Sequence, residues 1–391
     1  MFFWGLRMAV LRGDDAKVSF AELFFDLVFV FAITQVSHAL LAQYDLNGAL
    51  QTAFLFLAVW WVWVYSTWVL NRLDPDQLSV RLLLFFLMAA GLFLSMALTD
   101  AFGSRGLVFA LAYVAMQVGR TLFVWYIARD DDALSQTYIR ILIWFVVAAA
   151  LWLLGGMAQG AARYWFWAVA LGIEYLGPAV GYLVPGLGRD HSANWAVKGG
   201  HIAERCGLFV IICLGETLLV SGATFAKLDW DLAGTAAFLA AVGQAVAMWW
   251  VYFHIGHKRG THQIENSDNP GQLARLAFTY LHIPIVAGIV LSAVASERAI
   301  LHPGDPGTLV ESASSIGGLA LFLLGNGLFK RVSAGNFPRS HFAGLGLCAI
   351  IVLMGPLTTL LVLNLCVVAV LVLVALWENR SFNTGDASST A

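Results

Sequence analysis

Apolar residues fall in long blocks separated by short polar or Gly/Pro-bearing breaks. The blocks match the width of a bilayer. A helix rising 1.5 Å per residue needs about 20 apolar residues to cross the hydrocarbon. Twelve such runs are read, at 19–41, 49–70, 82–98, 106–127, 138–155, 164–183, 202–222, 233–254, 275–296, 309–329, 341–356 and 357–377. Gly355-Pro356 divides the tract 341–377, which is too long for one tilted helix, so a tight hairpin is expected there. The opening MFFWGLRMAVLR is too interrupted for a secretory signal and reads as an interfacial segment. The polar ENRSFNTGDASSTA after Trp377 reads as disordered. The fold class expected is therefore all-α, a polytopic transmembrane helix bundle.

The polar residues that interrupt the runs recur in order along the two halves. Ala21-Glu22 opens the first span and Ala203-Glu204 the seventh. AVWWVWVY from Ala58 is matched by AMWWVYFH from Ala247, and Arg81-Leu82 by Arg275-Leu276. Gly119-Arg120-Thr121-Leu122-Phe123 is matched by Gly325-Asn326-Gly327-Leu328-Phe329. This order predicts two six-helix repeats, which are parallel because each has an even number of spans. The expected divisions are a cytoplasmic or interfacial N-terminus (1–18), a first repeat (19–183), a linker (184–201), a second repeat (202–377) and a tail (378–391). The first and seventh helices, the most polar, are expected to face one another across the repeat axis.

Composition agrees with the pattern. Of 391 residues 60% are hydrophobic and only 12% charged, against about 45–50% and 25% in soluble domains. Mean hydropathy is +0.78. A net charge of −2 argues against a nucleic-acid partner. Of the 22 Lys and Arg, Arg120 and Arg205 fall within spans. Four more, Arg105, Arg163, Lys227 and Arg298, fall on one side, and the remaining sixteen on the other. The bias predicts both termini on the cytoplasmic side of a bacterial inner membrane. The four cysteines lie inside apolar runs and suit packing rather than disulfides or zinc.

Ionised groups inside hydrocarbon are costly, about 2.5–3.5 kcal/mol each on insertion scales, so those that persist need a partner, water or a function. Glu22 and Asp26 sit one turn apart on the first helix. Asp26, Arg120 and His282 are expected about 10 Å from the cytoplasmic edge, with Arg205 shallower. Two readings stand: an ion-pair network that pins helices, or a hydrated vestibule in which Asp26 and Arg120 set the field for an ion or proton. Glu22 and Glu204 also suit first-turn capping, where a carboxylate is favoured. Arg205, Leu208, Ile212 and Glu216 share one face of the seventh helix. Glu174 sits in GIEYLGPAVGYLVPG, whose prolines and glycines predict a broken or kinked sixth helix. His254, His257 and His262 cluster at a helix exit without a second ligand pair, so no metal or cofactor is inferred. No nucleophile–base motif or phosphate loop is read, and the chain is not expected to be an enzyme.

SFAELFFDLVFVFAITQVSH (19–38) and HIAERCGLFVIICLGET (201–217) together resemble the bacterial low temperature requirement protein A family over nearly the whole chain. That resemblance implies a multi-pass inner-membrane protein linked by name to growth in the cold. The first helix is also similar to the first-helix signature of the endolysosomal potassium channel family. Glu22, Phe24, Asp26, Val28, Phe29, Ala32, Ile33 and Thr34 carry the match. That resemblance implies a pore-lining first helix, narrowed by the bulky residue five after the acid, here Phe31. Phe20 and Phe25 depart from the signature, and Leu208 stands where the second repeat would need the acid.

The function expected is movement of a small solute or ion, a cation or proton, across the inner membrane. The pathway candidates are Glu22, Asp26, Phe31, Arg120, Glu174, Glu204, Arg205, Glu216 and His282. A membrane-embedded enzyme and a structural or sensory protein are the alternatives. The bilayer is the expected partner, with homo-oligomerisation left open.

Overall fold

The computed structural model describes residues 17–190, 197–254 and 270–389. Its described helices are α1 (Phe20–Ala42), α2 (Leu46–Leu70), α3 (Leu78–Leu98), α4 (Gly106–Ala128), α5 (Asp132–Met157), α6 (Ala161–Ala179), α7 (Gly199–Phe225), α8 (Leu232–Phe253), α10 (Leu309–Ala334), α11 (Arg339–Met354) and α12 (Leu360–Ser389). Between α8 and α10, α9 is built from Pro270–Ala274, a π-helical turn Arg275–Tyr280 and His282–Leu301. Extended pairing among the described residues is limited to two isolated bridges, so the fold is all-α. Eleven of the twelve helices are long and apolar enough to cross a membrane. The other is α6, which carries Arg163 and Glu174 within 19 residues.

Helix starts follow the sequence closely. Ser19 and Glu22 form a capping box on α1: Ser19 Oγ accepts from the Glu22 amide and Glu22 Oε2 from the Ser19 amide. Asp45, Asp131, Asp231 and Thr308 cap α2, α5, α8 and α10 more simply, each side chain accepting from the amide three residues on. The Gly355-Pro356 hairpin is a short 3-10 turn between α11 and α12. A Cβ on Gly355 would lie 1.9 Å from Ser312 Oγ, so only glycine fits where this turn meets the start of α10.

Two expectations are corrected. The sixth helix is not broken at Glu174, because α6 is continuous to Ala179 and Pro178 falls in its last turn. The glycines instead end the helix. Tyr182 N–H donates to Gly177 O, Gly181 N–H donates to Pro178 O, and Gly181 takes φ +65°, which is a Schellman termination. Nor does order end at Trp377. The helix α12 continues past it, and Glu378 is buried against Lys330.

The chain divides into two compact units. One takes the described residues of Met1–Ile202 with Asn269–Gln272, and the other those of Ala203–Asp268 and Leu273–Ala391. In the first, α4 packs on α3 and α5, α5 on α6, and α1 on α2 and α3. Arg163 closes one end of this unit. Its guanidinium donates to the carbonyls of Ala101, Gly103, Gly155 and Ala158, the last residues of α5 and the turn after α3. In the second, α10 packs on α9 and α11, α11 on α12, and α12 on α8.

Close backbone approach holds α9 to α10. A Cβ on Gly288 would sit 2.5 Å from Phe322 N, and one on Gly318 would sit 2.9 Å from Ser292 N. Such small-residue contacts are how membrane helices gain dispersion contact without a hydrophobic driving force. Gly288→Ala is expected to cost about 1–3 kcal/mol by overpacking. Gly243→Ala, whose Cβ would meet only Val368 at 3.6 Å, is expected to be neutral. Unfolding midpoints of the two variants in one detergent check this.

Candidate functional site

The first unit gathers its interior polar groups onto facing helix stripes. On α4, Tyr113, Gln117 and Arg120 stand at i, i+4 and i+7, one face of the helix, and all three are buried. On α6 they meet Glu174. Its Oε2 accepts from Tyr113 Oη and from Gln117 Nε2, each at 2.7 Å. Its Oε1 accepts from Trp152 Nε1 of α5 at 2.8 Å. The opposite end of Gln117 accepts from Arg120 Nη2. The amide is thus oriented at both ends, donating to an acid and accepting from a cation.

Arg120 also reaches α2, where Nη1 donates to Ser66 Oγ at 3.0 Å and to Val62 O at 3.3 Å. Its guanidinium lies 5.4 Å from the Tyr65 ring centre. Trp63, next to Val62, donates from Nε1 to Asp26 Oδ1 at 2.9 Å. The segment 62–66 of α2 therefore holds Asp26 of α1 on one side and Arg120 of α4 on the other. Arg120 and Glu174 are joined through Gln117 rather than directly. Aromatic rings wall this seam, with Trp152 tilted against Tyr113 at 4.3 Å and Trp61 stacked on Tyr175 at 3.8 Å.

Glu22 does two things. Besides capping α1, its Oε1 meets His201 Nε2 at 2.8 Å. Asn71 at the end of α2 pairs with Lys198 like a peptide: its Oδ1 accepts from Lys198 N at 3.0 Å and its Nδ2 donates to Lys198 O at 2.8 Å. That pairing fixes the amide, so the same Nδ2 donates to His201 Nδ1 at 3.2 Å. Since Nδ1 accepts, the proton is on Nε2 and points at Glu22. His201 is thus a specific link between helix ends.

The other sequence candidates are placed as follows. Asp26, Arg120, Glu22, Arg205 and His282 are fully buried, and Glu174 and Glu216 nearly so. In this structure neither Asp26 nor Arg120 of the expected vestibule has exposed surface. Phe31 is 36% exposed while Asp26 on the same helix is wholly buried, so the two occupy different faces. Glu204 is exposed. Arg205 and Glu216 are eleven residues apart on α7, about 16 Å along the axis, too far to touch each other. His282 is held by packing: Nδ1–H donates to Ala277 O in the π turn and Nε2 accepts from Tyr252 Oη, both at 2.8 Å. His254 ends α8, while His257, His262 and the acids after them lie outside the described residues. Among the described residues no group of three or more His, Cys, Asp or Glu could hold a metal.

Sequence reasoning missed a second polar cluster. Lys330 of α10 donates to both oxygens of Glu378 on α12 at 2.8 Å and to Val251 O in the last turn of α8 at 3.1 Å. His341 of α11 donates from Nε2 to Asn326 Oδ1 at 2.9 Å, and its Nδ1 lies 3.4 Å from Glu378. Lys330 had read as a loop charge, yet it is buried within its helix. Tyr113 and Gln117 were also missed, although their spacing from Arg120 is visible in the sequence.

An all-α membrane protein, with twelve helices among the described residues and buried interior charges, is the class these features define. The chain belongs to the family described as Bacterial low temperature requirement A protein (LtrA), whose family model matches residues 17–376. It is similar to an uncharacterized protein from Rhizobium meliloti (strain 1021), 41% identical over 368 residues, covering 93% of this chain and 90% of that one. No solved structure matches it.

The seam makes an ordered prediction about stability. Trp152→Phe removes one donor to Glu174 and should cost about 1–3 kcal/mol. Gln117→Leu removes a donor from the acid and an acceptor from the cation at once and should cost more, about 3–5 kcal/mol. Denaturation of both variants in the same lipid or detergent checks the order.

Proposed function

We propose that this LtrA-family protein moves a proton or small cation across the inner membrane. The ion passes along the interior polar seam of its first unit, and the protein has no enzymatic role. The observation that carries the reading is the continuous buried line Glu174–Gln117–Arg120–Ser66, with Asp26 of α1 held by Trp63, one residue along α2 from Val62. Glu174 is a buried acid joined to Arg120 only through Gln117, and in this reading it is the group that binds and releases the proton. When Glu174 binds one, the Tyr113 hydroxyl can turn from donor to acceptor and Gln117 loses its anionic partner. Arg120 then loses the acid that balances it through that amide, and the helices carrying these groups gain a reason to shift. Because the seam is sealed, the reading is of a protein that opens in turn to each side rather than a standing pore. The sequence order of the halves, together with the recurrence of α3–α4–α5–α6 packing as α9–α10–α11–α12, supports a six-plus-six duplication. The excess of cations on one side supports cytoplasmic termini.

A second reading is favoured by the saturation of Glu174 with three donors: the seam as a lock that fixes helix packing. Flux into proteoliposomes distinguishes the two. Under the transport reading, Glu174→Gln and Asp26→Asn lower proton or cation flux at least ten-fold while the folded yield is kept, and Glu216→Gln is measured beside them. Equal flux in all three and wild type, or none above empty liposomes, would favour the lock.

A further inference from the structure

The two spans least covered by protein are α11 and α12, with 28% and 39% of their apolar windows buried. Between them runs a groove of about 590 Å³, within the usual range of small-molecule sites. Its walls are apolar, with Leu347 and Leu373 along its length. Its floor is the contact of Gly344 with Val374, where a Cβ would lie 3.0 Å from the valine. One end is different. There Ser340, Arg380 and Ser381 line it, next to Trp377, which is half-exposed. Behind that end sit His341 and the buried Lys330–Glu378 pair. A second groove of about 370 Å³ flanks α12 on its α8 side. It shares Leu376 with the first and ends at Asn379, beside Arg380 in sequence.

We propose that these two grooves bind one anionic diacyl phospholipid, an acyl chain in each, with its phosphate held at Arg380 and Ser381. Three observations join in this. The apolar walls lie on the two candidate spans that the rest of the described protein covers least. The polar, cationic end is at the level where α11 begins with Arg339, the same end that carries Arg331 after Lys330, so a phosphate meets complementary charge. A tryptophan stands at that level, the depth that indole rings prefer in a bilayer. A zwitterionic lipid has the same chains but gains less from this end. A lysolipid has the same phosphate but fills one groove only.

Delipidated full-length protein in detergent is titrated with phosphatidylglycerol, phosphatidylcholine, lysophosphatidylglycerol and inorganic phosphate. Bound mass is read by native mass spectrometry and the thermal midpoint is followed. Phosphatidylglycerol is expected to remain bound at one per chain and to raise the midpoint. Phosphatidylcholine and the lysolipid should bind at least five-fold more weakly. Arg380→Gln should remove the preference for the anionic lipid, and Ala343→Trp, which fills the first groove from an exposed position, should reduce binding of every diacyl lipid. The lipid-free midpoint of each variant, matching wild type, shows that it folds. Equal binding of the two diacyl lipids, an unchanged preference in Arg380→Gln, or equal stabilisation by phosphate alone would overturn the proposal. So would a lipid-free dimer that excludes lipid, since it would make the face a contact between copies.

Discussion

Hydrocarbon offers no hydrogen bonds, and that absence organises this protein. A polar group placed in a membrane helix must find its partner on another helix, and each such partner fixes a distance and a rotation. Glu174 illustrates the consequence. Its three donors come from α4 and α5, so a single acid on α6 sets the relative rotation of three helices. Arg120 extends the same constraint to α2 through Ser66 and Val62. Apolar packing brings these helices together, but it is nearly indifferent to rotation when the surrounding lipid is as apolar as leucine. The seam supplies the specificity that packing lacks.

The two units solve this problem differently. In the first, acid and cation are kept apart by an amide, and each finishes its bonding with neutral groups. In the second, Lys330 and Glu378 meet directly, with a helix-terminal carbonyl as third partner. A direct buried pair is costly to form and costly to break, because removing either member leaves an uncompensated charge. It suits a fixed joint between α8, α10 and α12. An amide between acid and cation keeps each within the other's field but leaves both able to change partners. The first arrangement is therefore the better place for chemistry that must reverse, and the second for anchoring.

The helices were legible because length and hydropathy state them directly; their starts were less so, since hydropathy put the second and fifth spans at 49 and 138, whereas the caps Asp45 and Asp131 start α2 at Leu46 and α5 at Asp132. Two local errors came from reading composition without geometry. Gly177, Pro178 and Gly181 were taken to break α6, whereas together they terminate it, since a Schellman end needs a left-handed glycine and tolerates a proline in the last turn. Lys330 and Glu378 looked like solvated ends of two spans 48 residues apart, and nothing local to either predicts that they meet. The buried charges Asp26, Arg120 and Glu174 stood out because they violate the apolar pattern. Their partners did not, because Trp63, Tyr113 and Trp152 look like ordinary aromatic residues of a membrane helix until an acid is found beside them.

Gln117 shows why the seam is more than a set of satisfied groups. A neutral side chain that both donates and accepts transmits orientation, so the state of Glu174 is felt at Arg120 through one amide. Were Glu174 to become neutral, it would no longer favour the amide's donor end over its acceptor end, and rotating Gln117 would turn its NH2 toward the guanidinium. Two donors cannot face one another at that distance, so Arg120 would have to leave Gln117 and rely on Ser66 and Val62 alone. The change in charge on α6 would thereby become a change in how α4 is tied to α2. Asp26 is held by Trp63 on that same turn of α2, so α1 lies at the far end of the linkage. Under the transport function proposed above, a line of this kind would couple protonation of Glu174 to helix position without any group crossing open space.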